Sequence, residues 1–130
     1  KDRVRRERVA AMLAAGALHT AEDYRKAAFV FQHGDRPDDY LLAHTLALVA
    51  VAKGDQGAAW IAAATLDRYL QSVRQPQIYG TQFLGAGAAA TQKPYNQQLI
   101  SDALRTELGV PTQASQAEQL KTLQSPAPGK

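Results

Sequence analysis

The sequence predicts an all-α domain: a small antiparallel bundle of about five helices, built from tetratricopeptide-like hairpins and broken by one long loop. Three observations lead there. First, 25 of the 130 residues are Ala and only 29 are Val, Ile, Leu, Met, Phe or Trp. Alanine is the best helix former, and its small side chain lets helices approach closely. Second, apolar residues recur at helical spacing, as in Tyr24, Ala27, Ala28 and Phe31 at i, i+3, i+4 and i+7. Third, start and stop signals bracket these runs, with Thr, Asp or Pro before them and Gly after.

Taken in order, the first helix covers residues 2–15, with Val9, Met12 and Leu13 as a short apolar stripe and Gly16 closing it. Thr20 caps the second helix, whose first turn carries Glu22 and Asp23, and Gly34 ends it. Asp35-Arg36-Pro37-Asp38-Asp39 starts a third helix that runs to about residue 53. It is apolar nearly all round, which places it at the bundle centre. Gly54-Asp55 is a tight stop and restart, and the fourth helix covers about 56–73, ending before Pro76.

Residues 75–95 hold Pro76, Gly80, Gly85, Gly87 and Pro94 and read as a long loop with a short helical turn at 86–90. A fifth helix is predicted over 95–108, closed by Gly109 and Pro111. Ser115-Gln116-Ala117-Glu118 has capping-box form and starts a short last helix. Residues 1–110 thus read as a single domain, and 111–130 as a short helix and a disordered tail. The Gln-rich stretch from Gln92 to Gln124 reads as solvated surface.

Composition excludes several function classes. Without cysteine the chain has no disulfide scaffold, thiolate metal site or cysteine nucleophile. The longest nearly apolar run, 41–52, falls short of the roughly twenty residues needed to span a bilayer, so no membrane role is expected. The formal charge is +3, and Lys1, Arg3, Arg5, Arg6 and Arg8 against Asp2 and Glu7 account for all of it. The remaining 122 residues hold ten bases and ten acids, so no nucleic-acid partner is expected. The start at Lys1 and the Pro-rich tail favour an exported protein over a cytoplasmic one. Gly85-Ala86-Gly87 lacks the preceding strand of a dinucleotide fingerprint and reads as loop. No cofactor is implied, and no metal: His33 and His44 lack paired-ligand spacing on one helix.

Geometry points to one end of the bundle. Short turns make the second, third and fourth helices antiparallel neighbours. With the second turn centred near residue 54.5, His44 lies level with about residue 65, close to Asp67. Gln32, His33, Tyr40, His44, Asp67, Arg68 and the 77–82 loop then gather at that end. His44 and His33 become candidate bases, with Asp67 orienting the ring. Gln32, Arg68, Gln77, Tyr79, Thr81 and Gln82 become candidate ligand-binding groups, Arg68 for an anion.

Gln32-His33, Asp67-Arg68 and Pro76-Gln77-Ile78-Tyr79-Gly80-Thr81-Gln82 together resemble the signature of an uncharacterised bacterial family, a domain of unknown function. Its pattern closes on G-[RK]-P-Q-x-Y-G-T-Q. Here Val73-Arg74-Gln75 stands where that family carries Gly before the Pro-Gln. The resemblance spans about residues 24–83 and implies that these polar residues belong together, without supplying a reaction. Two functions stay open. One is a polar pocket that binds a small molecule or works as a hydrolase or lyase with a His–Asp pair. The other is a helical protein- or peptide-interaction module whose polar cluster is structural.

Overall fold

A computed structural model describes residues 1–125. It contains α1 (Asp2–Ala14), α2 (Ala21–Gln32), α3 (Pro37–Ala52), α4 (Ala58–Ser72), α5 (Asp102–Glu107) and α6 (Gln113–Gln124), with a 3-10 turn at Gly87–Ala89. There is no β-strand among the described residues, only isolated bridges between Gln77 and Tyr95 and between Leu84 and Thr91. The all-α bundle is therefore as predicted; the tail expected to be disordered lies, from residue 126, outside the described residues.

The helices start and stop for local reasons. Thr20 caps α2 by accepting from the Asp23 amide, while Asp23 accepts from the Thr20 and His19 amides. Those backbone hydrogen bonds hold the Asp23 carboxyl below its ordinary pKa. Asp39 repeats the device at α3, accepting from the Asp35 and Arg36 amides. Tyr24 and Tyr40 each donate their hydroxyl to a carbonyl six residues back, Leu18 and Gly34, and so tie each helix to its preceding turn.

The centre is thin and tight. α2 packs along α3 and α3 along α4. The core cluster is Leu18, Ala27, Ala28, Phe31, Ala43, Leu46, Ala47, Ile61 and Ala62. Five of these nine are Ala, so the helix backbones approach closely and each residue buries little apolar area. α1 buries no residue fully and leans on this core through Val9 and Leu13. Arg6 fastens it, donating to the His33 carbonyl at 3.0 Å and facing Asp35 and Asp39 at 3.7 and 3.8 Å.

Beyond α4 the chain departs from expectation. The fifth helix is six residues long instead of fourteen, because 95–101 run across the loop and Ser101 supplies the cap, accepting from the Leu104 amide. The last helix is capped by Thr112, not Ser115: Thr112 accepts from the Ser115 amide.

Four helices end in the same paired motif, in which the amides of the second and third residues beyond the helix bond back to carbonyls of its last turn. The left-handed position is Gly16, Gly54 and Gly109 in three of them; in α4 it is Arg74, at φ 61°. A non-glycine residue there costs about 1–2 kcal/mol, and the greater unfolded-state freedom of glycine returns about 0.5–1 kcal/mol of that. Arg74→Gly is therefore expected to stabilise the domain by about 0.5–1 kcal/mol, raising Tm by a few degrees. A lower midpoint in urea or heat would contradict it.

Candidate functional site

The residue that organises the loop is Asp67, fully buried on α4. Its Oδ1 accepts from the Ile78 and Tyr79 amides at 2.8 and 3.0 Å. Its Oδ2 accepts from the Thr81 amide at 3.0 Å and the Thr81 hydroxyl at 2.7 Å. A carboxylate has about four lone-pair sites, and the loop takes all four.

The carbonyls of the same loop meet a cation. Arg105, also fully buried, donates from Nε to the Tyr79 carbonyl at 3.2 Å and from Nη2 toward the Ile78 carbonyl at 3.4 Å. It also donates to the Ile100 carbonyl and the Tyr95 hydroxyl, and reaches Asp102 at 3.4 Å. Residues 78 and 79 thus sit between a buried anion on their N–H side and a buried cation on their C=O side.

Glutamines fill the remaining positions. Gln77 donates from Nε2 to the Gln82 and Gln92 carbonyls and accepts from the Gln82 amide. Gln92 donates to the Gly80 carbonyl and to Gln116 Oε1. Gln116 donates to the Tyr79 and Pro111 carbonyls and accepts from the Tyr95 hydroxyl. Gly80 lies at φ 82°, and a Cβ there would collide with Gln116 and Tyr95. Burial raises the Tyr79 hydroxyl above its ordinary pKa, with the Asp67 charge adding to it. Burial likewise raises Tyr95, against the pull of Arg105.

The predicted site residues separate into three groups. Asp67, Gln77, Tyr79, Thr81 and Gln82 are brought together as the pinned loop. The pairing of His44 with Asp67 is not formed. His44 Nδ1 instead donates to the Ala62 carbonyl at 2.7 Å, because α3 meets α4 three residues earlier than the turn arithmetic placed it and Asp67 is already saturated. A carbonyl only accepts, so the proton sits on Nδ1. His33 caps α2 with its side chain exposed, and its carbonyl holds Arg6. Gln32 is buried.

The third group lines an open groove of about 440 Å³. Arg68 and Gln71 of α4 form one wall, Gln82, Phe83 and Leu84 of the loop the other, and Tyr40 of α3 the end. Arg68 is half-buried yet has no ion pair among the described residues, and its Nε and Gln71 Nε2 are buried without a partner. Among the described residues no three His, Asp or Glu gather to hold a metal ion, and no helix is long and apolar enough to cross a membrane.

Four members of the cluster escaped the sequence reading: Gln92, Tyr95, Arg105 and Gln116. The Gln-rich stretch is not all solvated surface, since Gln92 and Gln116 are buried. α6, placed after the domain by sequence, delivers Gln116 into the loop. Neither family models, curated proteins nor solved structures match the chain.

Two outcomes follow from this geometry. Asp67→Asn keeps the shape but removes the charge and two acceptor sites, and should cost about 3–5 kcal/mol. In a double-mutant cycle with Arg105→Met, the pair should couple by about 1–3 kcal/mol; strict additivity in urea unfolding would show that the two do not share the loop. A second concerns alkali. Burial holds the folded pKa of Tyr95 above the ordinary tyrosine value of about 10, so its contribution is complete below about pH 10 and is lost as pH rises through the folded value. Tyr95→Phe should flatten the fall in stability above pH 10; an unchanged slope would count against the assignment.

Proposed function

We propose that this chain is a ligand-binding domain, in which the groove beside Arg68 takes an anionic group of a small molecule or peptide and the polar cluster around Asp67 is the scaffold that holds the groove open. One observation carries the reading: Arg68 is half-buried with no counter-charge, beside a second unpartnered donor on Gln71. Buried donors are normally paired, and a guanidinium most strongly by carboxylate or phosphate. Of the buried unpartnered groups, the two that line this groove are donors, so the ligand that completes them is an acceptor.

The state of Asp67 favours binding over a His–Asp reaction. A carboxylate that orients a histidine needs a free lone pair, and the loop donors occupy all of them. The resemblance to the signature family bears on the same residues, since its P-Q-x-Y-G-T-Q run is the stretch that Asp67 anchors.

The test is a thermal-shift screen with acetate, succinate, citrate and inorganic phosphate, on the wild type and Arg68→Gln. At a ligand concentration near 100 Kd the stabilisation expected is about 2.7 kcal/mol, and Arg68→Gln should lose it. Without ligand the variant should stay within about 0.5 kcal/mol of wild type, because no ion pair is broken. Equal responses from both proteins, or none from either, would overturn the proposal.

A further inference from the structure

We propose, resting on the anion-binding reading above, that the ligand is a short extended peptide: its carboxylate pairs with Arg68, its backbone pairs with Phe83, and an apolar side chain three to four residues away fills a notch beside Trp60.

The notch has a volume of about 210 Å³ and is walled by Trp60, Phe83, Pro111 and Gln119. Trp60 is 37% exposed and presents its ring to this notch. Phe83 is a wall of this notch and also of the Arg68 groove, so the two form one path across the loop. Trp60 and Arg68 stand eight residues apart on α4, about 12 Å along the axis. An extended peptide covers that in three to four residues at about 3.3–3.6 Å each.

The backbone of the loop selects a peptide over other apolar anions. Gln82 has both its amide and its carbonyl engaged by Gln77. Leu84 has both engaged by Thr91. Phe83, between them, bonds through neither group among the described residues. One free N–H and one free C=O on an apolar wall are what an added strand recognises. The cation supplies direction, placing the carboxylate at the Arg68 end.

Trp60 is the only tryptophan, so its fluorescence reports the notch directly. The probes are acetylated Phe-Ala-Ala-Ala with a free C-terminal carboxylate, the same peptide as its C-terminal amide, and acetylated Ala-Ala-Ala-Ala with a free carboxylate. The first should shift Trp60 emission and the Phe83 amide resonance. The amide and the all-alanine peptide should bind at least tenfold more weakly, and Arg68→Gln should bring the first peptide down to the level of its amide. Gln71→Leu, which removes the second donor, should weaken the free acid several-fold and leave the amide unchanged. Equal affinity for acid and amide overturns the proposal. Recovery of binding by an amidated peptide carrying Glu at the fourth position supports it and assigns the carboxylate to a side chain instead of a C-terminus. If acetate stabilises the protein through Arg68 but no tetrapeptide exceeds acetate, the peptide inference falls and the anion reading stands. If no anion depends on Arg68, the anion reading falls as well.

Discussion

A buried carboxylate that accepts four hydrogen bonds from one loop is the constraint on which the rest of this structure depends. Removing Asp67 from water costs several kcal/mol, and that cost is offset only if its lone pairs are filled. The loop fills them with the Ile78, Tyr79 and Thr81 amides and the Thr81 hydroxyl. The loop in turn has no regular ladder of its own, so the carboxylate supplies the acceptors that a helix or sheet would otherwise provide. Each side satisfies the other, which is why a segment rich in Gly and Pro can hold one conformation.

The second half of the chain closes the same account. The carbonyls of residues 78 and 79 need donors once the loop is buried, and Arg105 and Gln116 bring them from α5 and α6. Those two helices contribute little apolar burial: α5 is six residues long and buries only Arg105, and α6 buries only Gln116. They are held by polar groups to a bundle whose own core is alanine-rich. A thin core and a dense polar network are complementary, since close helices leave little room for large side chains and the stability of the outer layer comes from charge-assisted hydrogen bonds.

This division also explains what the sequence made legible. α1 to α4 follow from periodicity, caps and stops because each is a local choice: Thr20 with Asp23, Pro37 in a first turn, Gly16 and Gly54 at left-handed ends. The gathering of Asp67 with the 77–82 loop was legible because short turns fix which helix ends are neighbours. The His44 pairing failed on a shift of three residues, less than one helical turn, which turn counting does not resolve. Gln92, Tyr95, Arg105 and Gln116 were not legible at all. Their partners are backbone groups up to 37 residues away, and a glutamine that bonds to a distant carbonyl has the same local sequence as one in water.

Asp67 and Arg68 are adjacent, opposite in charge and differently used, and the reason is angular. Successive helix residues point about 100° apart, so one faces the loop and the next faces the groove. The loop takes every acceptor site of Asp67, while Arg68 makes no ion pair among the described residues and lies half-buried beside the unpartnered amide of Gln71. The network that fixes the loop therefore does more than brace it. The same loop that Asp67 fixes also walls the groove beside Arg68, on which the proposed ligand site rests. The structural reading of this polar cluster and the proposed binding reading are then not rivals, because the loop pinned by Asp67 is itself one wall of the groove that Arg68 lines.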